Sequence, residues 1–173
     1  MTSELYPLTF EPSLHVKVWG GTKLNELYGK PRADGPLGES WEVSAVPGHE
    51  SVVDAGPLAG RKLDDLVGAS GERLVGPAVA AQHGDELPLL LKLLDASDDL
   101  SVQRHPNSVQ AAALAGGARS KSEAGLIVPT DPGARLVVGG AEGLDRDRFR
   151  AQVSEGRIEE CLGWVEVEPG DVI

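Results

Sequence analysis

The chain has a single cysteine, Cys161, few aromatic residues, no run of consecutive basic residues longer than a pair and no long apolar stretch. One cysteine excludes an internal disulfide, so the core must hold without covalent staples, and its solitude fits a reducing cytoplasm. At 173 residues folding removes roughly 70% of the surface the unfolded chain exposes, which suffices for such a core. No apolar run approaches the roughly 20 residues a membrane helix needs, and Met1-Thr2-Ser3-Glu4-Leu5 has neither the basic nor the apolar region of a secretion signal. The expectation is a cytoplasmic protein with no membrane partner. Lys and Arg total 16 against 27 Asp and Glu, a formal net charge of −11, and a surface this acidic repels nucleic-acid phosphates in the absence of a basic patch.

Hydrophobic residues at 40% and charged residues at 25% describe one globular domain, expected to span 1–173. Aromatics are only 4%, so valine and leucine must fill the core. Glycine and proline are plentiful instead, 22 and 12 residues scattered without a period. Such punctuation suits many short strands and tight turns, hence a mainly β fold with a few short helices.

Leu14 to Trp19 alternates as a strand that should break at Gly20-Gly21, after which Thr22 should cap a helical turn over 23–28. Ser40 to Val46 and Ser51 to Val53 suggest two strands of a hairpin around Pro47-Gly48. From Arg61 the period changes to helical, with Leu63, Leu66 and Val67 on one face and a second apolar series up to Gly84. Leu87 to Asp95, interrupted only by Lys92, predicts a buried strand. Leu100 to His105 predicts another, and Ser108 to Leu114 a helix closed by Gly116-Gly117. Strands over 124–128 and 135–139, a helix over 145–153 capped by Asp145, and a strand over 161–167 complete the pattern. Val172-Ile173 would then open a further strand.

Alternation over 100–105 would place Ser101, Gln103 and His105 on one face of the strand. An imidazole nitrogen and an amide oxygen so placed suit two adjacent positions on one metal ion. The same alternation also describes an exposed sheet face. Lys92 reads either as a substrate contact or as a side chain carrying its charge out of a buried strand, and Trp19, Trp41 and Trp164 read as packing or as sugar platforms.

Several stretches together resemble type I mannose-6-phosphate isomerases. They are Val18-Trp19-Gly20-Gly21-Thr22-Lys23-Leu24, Gly38-Glu39-Ser40-Trp41-Glu42-Val43-Ser44, Pro88 to Ala96, Asp99 to Pro106, and Lys121-Ser122-Glu123. The resemblance implies a cupin-type, jelly-roll barrel, here incomplete and lacking its carboxyl-terminal strands. It also implies a zinc ion held by Gln103, His105 and Glu123. The family's fourth ligand, a histidine after the Pro-Gly-Asp turn, has no counterpart before Ile173, and His15, His49 and His83 match no ligand position. The later catalytic arginine is likewise missing, and Ala124-Gly125 stands where the family tends to carry an aromatic.

The implied reaction interconverts mannose 6-phosphate and fructose 6-phosphate, moving a proton between neighbouring carbons through an enediol while the metal stabilises charge on the sugar oxygens. Lys92, Ser101 and Lys121 resemble active-site positions, with Lys92 and Ser101 as substrate contacts and Ser101 and Lys121 as catalytic groups. The expected partner is a small sugar phosphate. Activity of this chain alone should be impaired. The competing expectation is a non-catalytic cupin-like module that binds metal or sugar phosphate.

Overall fold

The computed structural model describes residues 4–114 and 120–173. Two compact units divide the chain, Met1–Val102 and Gln103–Ile173.

The first unit is built on a three-stranded antiparallel sheet of β1 (Ser13–Gly21), β2 (Leu37–Ser44) and β3 (Leu90–Leu94), with β2 in the centre. β2 is the most buried of the three, with Leu37, Glu39, Ser40 and Ser44 all nearly sealed from water. A helix, α1 (Lys23–Tyr28), follows β1, and α2 (Leu63–Ser70), α3 (Glu72–Val75) and α4 (Pro77–His83) form the helical excursion that the periodicity predicted. Leu63, Leu66 and Val67 are buried on α2, each contributing about 2 kcal/mol of apolar transfer as an upper figure. Asp64 and Asp65 in its first turn face the positive end of the helix. Val53, Leu58 and Leu66 form a core cluster against Tyr6, Leu8, Phe10 and Leu74.

The first strand ends at Gly20-Gly21, its last two residues, as the sequence suggests. β1 runs through both glycines with register shifts, and Gly20 bridges to Ala96. The pair is needed for close approach. A Cβ on Gly20 would lie 2.6 Å from the backbone nitrogen of Gly38, and one on Gly21 would lie 2.5 Å from Asp95 Oδ2. That same Asp95 oxygen accepts the Lys23 backbone N–H at 2.6 Å. Thr22 occupies the N-cap position but makes no side-chain capping bond. The orphan donor at the start of α1 is therefore satisfied from the end of β3, not locally.

The hairpin expected between 40–46 and 51–53 is replaced by pairing of β2 with β1 and β3. Ser51 still ties to Ser44: its N–H donates to the Ser44 carbonyl and its hydroxyl accepts the Ser44 N–H, both at 2.8 Å. The apolar run over 87–95 shortens to β3, an edge strand, and Leu89, Leu91 and Leu94 remain exposed. An edge position covers fewer side chains than the central one that an unbroken leucine run suggested.

In the second unit β4 (Arg135–Gly140) pairs antiparallel with β5 (Leu162–Glu166). Helix α5 (Ser108–Ala113) opens with a full capping box between Asn107 and Gln110, and α6 (Arg146–Ser154) with Asp145 accepting the Arg148 N–H at 2.8 Å. Cys161 is buried, its thiol donating to Gln152 Oε1 at 3.0 Å. Trp164 sits on β5 with the Arg135 guanidinium 4.1 Å from the centre of its ring, so it packs at the surface. The predicted helix end at Gly116-Gly117 lies outside the described residues.

Two further expectations change. Residues 101–107 have no regular secondary structure, so strand alternation does not impose a common face on Ser101, Gln103 and His105. Leu100 and Val102 are exposed, and without an apolar face to bury this run has little to hold it in a sheet. The strand expected over 124–128 reduces to one bridge, Leu126 to Val172. Val172-Ile173 do pair as a strand would, with the Gly125 and Ile173 N–H groups each donating to the other's carbonyl at 2.9 Å.

Candidate functional site

Three of the residues singled out in the sequence meet in the second unit. His105 precedes Pro106, which restricts its backbone to extended conformations, and the capped start of α5 follows immediately. Glu123 stands two residues before the segment tied to the chain's last residues, where the Ile127 N–H also donates to the Asp171 carbonyl at 2.8 Å. These two anchors bring His105 Nε2 to 2.6 Å from Glu123 Oε2. The Lys121 ammonium lies 3.0 Å from the same carboxylate oxygen and 3.3 Å from the same ring nitrogen.

The arrangement is partly open to water, with side-chain exposures of 32% for His105 and 45% for Glu123. The Glu123 carboxyl is held below its ordinary range, first by the hydrogen bond from Lys121; partial burial opposes this, and the His105 hydrogen bond and the charges of both neighbours add to it.

An imidazole nitrogen and a carboxylate oxygen brought this close are donors of the kind zinc takes, and Lys121, which contacts both, is itself a cation. The donor chemistry therefore fits a divalent ion. Among the described residues no group of three or more His, Cys, Asp and Glu side chains could hold a metal, so a third donor would have to be of another type, such as the amide of Gln103, an exposed residue on the irregular run.

The first unit holds Lys92 and Ser101. Ser101 is exposed on the irregular segment. Lys92 lies on β3 directly opposite Trp41, and its ammonium is 3.3 Å from Glu39 Oε1. The other Glu39 oxygen accepts the Trp41 indole N–H at 2.7 Å. On the opposite face of β2, Glu42 takes the Ser40 hydroxyl at 2.6 Å and the Lys30 ammonium at 2.7 Å. Burial alone would raise the Glu39 pKa, but the Trp41 hydrogen bond and the charge and hydrogen bond of Lys92 outweigh it, and the carboxyl ends below its ordinary value. Sequence reasoning missed Glu39. Its signal was the period-two spacing of Glu39 and Trp41, which puts both on one face of the strand. Trp41 also packs on His15, ring centroids 4.4 Å apart.

Residues 8–123 match the family described as phosphomannose isomerase type I, catalytic domain. The chain belongs to that family. A relative from Bacillus subtilis strain 168 named "Probable mannose-6-phosphate isomerase GmuF" is 35% identical over 166 residues, which are 96% of this chain and 51% of the relative. The mannose 6-phosphate isomerase crystal structure from Bacillus subtilis superposes with a TM-score of 0.85 at 30% identity, covering 96% of this chain and 51% of that one. A mannose 6-phosphate isomerase structure bound with zinc and yttrium gives a TM-score of 0.51 at 35% identity, covering 58% of this chain and 25% of that one.

The fold is thus the mainly β, cupin-type one, with short helices inserted and the sheets of the described residues open. The chain spans about half the length of the curated relatives it matches. No helix among the described residues is long and apolar enough to cross a membrane.

Proposed function

We propose that this chain carries the metal-binding part of a zinc-dependent isomerase that interconverts mannose 6-phosphate and fructose 6-phosphate in the cytoplasm, and that residues 1–173 serve as one cupin-like catalytic domain. The observation that carries the reading is the 2.6 Å approach of His105 Nε2 to Glu123 Oε2, at the positions where the family resemblance expects metal ligands. Gln103, His105 and Glu123 would hold the ion. Zinc, when bound, supplies Lewis-acid stabilisation of negative charge on the sugar oxygens.

The chain's own groups do the rest. Lys92 offers an ammonium to the anionic substrate, which a protein of net charge −11 must otherwise repel. Ser101 contributes a hydroxyl that donates to or accepts from a sugar oxygen. The Lys121 ammonium favours the ionised form of Glu123 and would offer its positive charge to negative charge developing on the sugar. With three donors from this chain the ion is held less tightly than by four, and turnover by the 173 residues alone should be slight.

A second reading is a module that binds metal or sugar phosphate without turnover. Measuring isomerisation of mannose 6-phosphate with and without added zinc separates the two. Zinc-dependent turnover, however slow, supports the isomerase. Saturable zinc binding with no turnover, both for this chain and for one extended through the remaining length of its relatives, would establish the module instead.

A further inference from the structure

Among the charged groups on the β1–β2–β3 sheet, the carboxylate of Glu39 is the most constrained. It is 8% exposed, and its two oxygens are divided between two partners. Oε2 takes the Trp41 indole N–H at 2.7 Å, and Oε1 faces the Lys92 ammonium at 3.3 Å. Trp41 is braced in turn by His15, whose ring is 4.4 Å away and whose backbone is the cross-strand partner of Glu39. The result is a chain of fixed groups that ends on a lysine: His15 against Trp41, Trp41 to Glu39, Glu39 to Lys92.

A lysine is a compact charge on a flexible four-carbon stem, and immobilising that stem when ligand binds costs entropy. Glu39 already limits the stem. It does so without leaving a strong bare negative charge, because the indole N–H and the ammonium both compensate it. We infer that Glu39 is a positioning residue for substrate binding: held by Trp41, it fixes the Lys92 ammonium in place for the anionic sugar phosphate. The inference rests on the reading of Lys92 as a substrate contact.

A double-mutant cycle tests both and keeps them apart. Mannose 6-phosphate binding is measured by calorimetry on the full chain for wild type, Glu39→Gln, Lys92→Gln and the double variant. Glutamine keeps an acceptor for the Trp41 indole while removing the charge that holds Lys92. Glu39→Gln should weaken binding about tenfold, the scale of loss when a binding group is misplaced. In the Lys92→Gln background the same substitution should cost less than about twofold, because no ammonium remains to be positioned.

An equal loss in both backgrounds would make Glu39 merely structural and overturn the inference, as would unchanged or tighter binding by Glu39→Gln. No saturable binding by wild type, or full affinity in Lys92→Gln, would instead overturn the reading beneath it. If Glu39→Gln does not fold, Trp41→Phe serves in its place. It removes the brace and leaves both charges, and its loss of affinity should likewise vanish without Lys92.

Discussion

His105 and Glu123, eighteen residues apart, meet through a 2.6 Å contact between Nε2 and Oε2, with Lys121 touching both. The ammonium lies where a divalent ion would compete with it. Lys121→Met should therefore tighten zinc binding, by about two- to fivefold, because a neighbouring positive charge opposes the ion at this partly solvated position. Competition with a chromophoric chelator measures the change. Weaker binding in the variant would mean that Lys121 supports the site instead of competing for it.

The same contact predicts how zinc binding depends on pH. Both ligand groups must be deprotonated toward the ion, so affinity should fall as the solution is acidified. The Glu123 carboxyl is held below its ordinary value, principally by Lys121, so its contribution should persist to more acidic pH than an ordinary glutamate's. A zinc titration at several pH values checks this, and an affinity unchanged on acidification would contradict it.

Glu39 makes a prediction about folding. Its carboxyl ionises more readily folded than unfolded: burial opposes the charge, but Trp41 and Lys92 more than compensate. The resulting stabilisation is fully present above the unfolded value of about 4.3 and is lost as pH falls through the lower folded value. Glu39→Gln should cost about 1–3 kcal/mol at pH 7, less than breaking a fully buried pair because the Lys92 end keeps some water. It should also flatten the decline of stability in acid. Urea unfolding at pH 7 and at pH 3 measures both. An identical acid limb in the variant would count against this origin of the shift.

The close approach at the end of β1 gives a sharper test of packing. A Cβ on Gly20 would meet the backbone of Leu37 and Gly38 at 2.7 and 2.6 Å, atoms that cannot swing aside. Gly20→Ala should destabilise by about 1–3 kcal/mol or more. Gly29→Ala, where nothing lies within 4 Å of the added carbon, would pay only for its left-handed backbone, φ 62°, about 1–2 kcal/mol. Thermal unfolding of the two variants should rank them in that order.

How legible the molecule was depends on how local each determinant is. The helices over Leu63 to His83 and the Asp145 cap follow from neighbours within a few residues, and both were readable in the sequence. The strand end at Gly20-Gly21 was readable because glycine commonly closes a strand. What requires glycine there is the nearness of residues 37, 38 and 95, which no local pattern contains. Leu100 to His105 alternates as a strand should, but alternation forms a strand only where a partner and a buried face exist. His105 and Glu123 were legible as candidates through motif resemblance, not through spacing. Glu39 was overlooked because its spacing from Trp41 shows a shared face, while Lys92 reaches it only through the pairing of β2 with β3, which no local pattern contains.

The zinc affinity of wild type measured beside His105→Ala and Glu123→Gln tests the central claim most directly. Isothermal titration at neutral pH should show saturable binding by the wild type and a loss of at least about tenfold in each variant. Equal affinity in all three proteins would contradict the account.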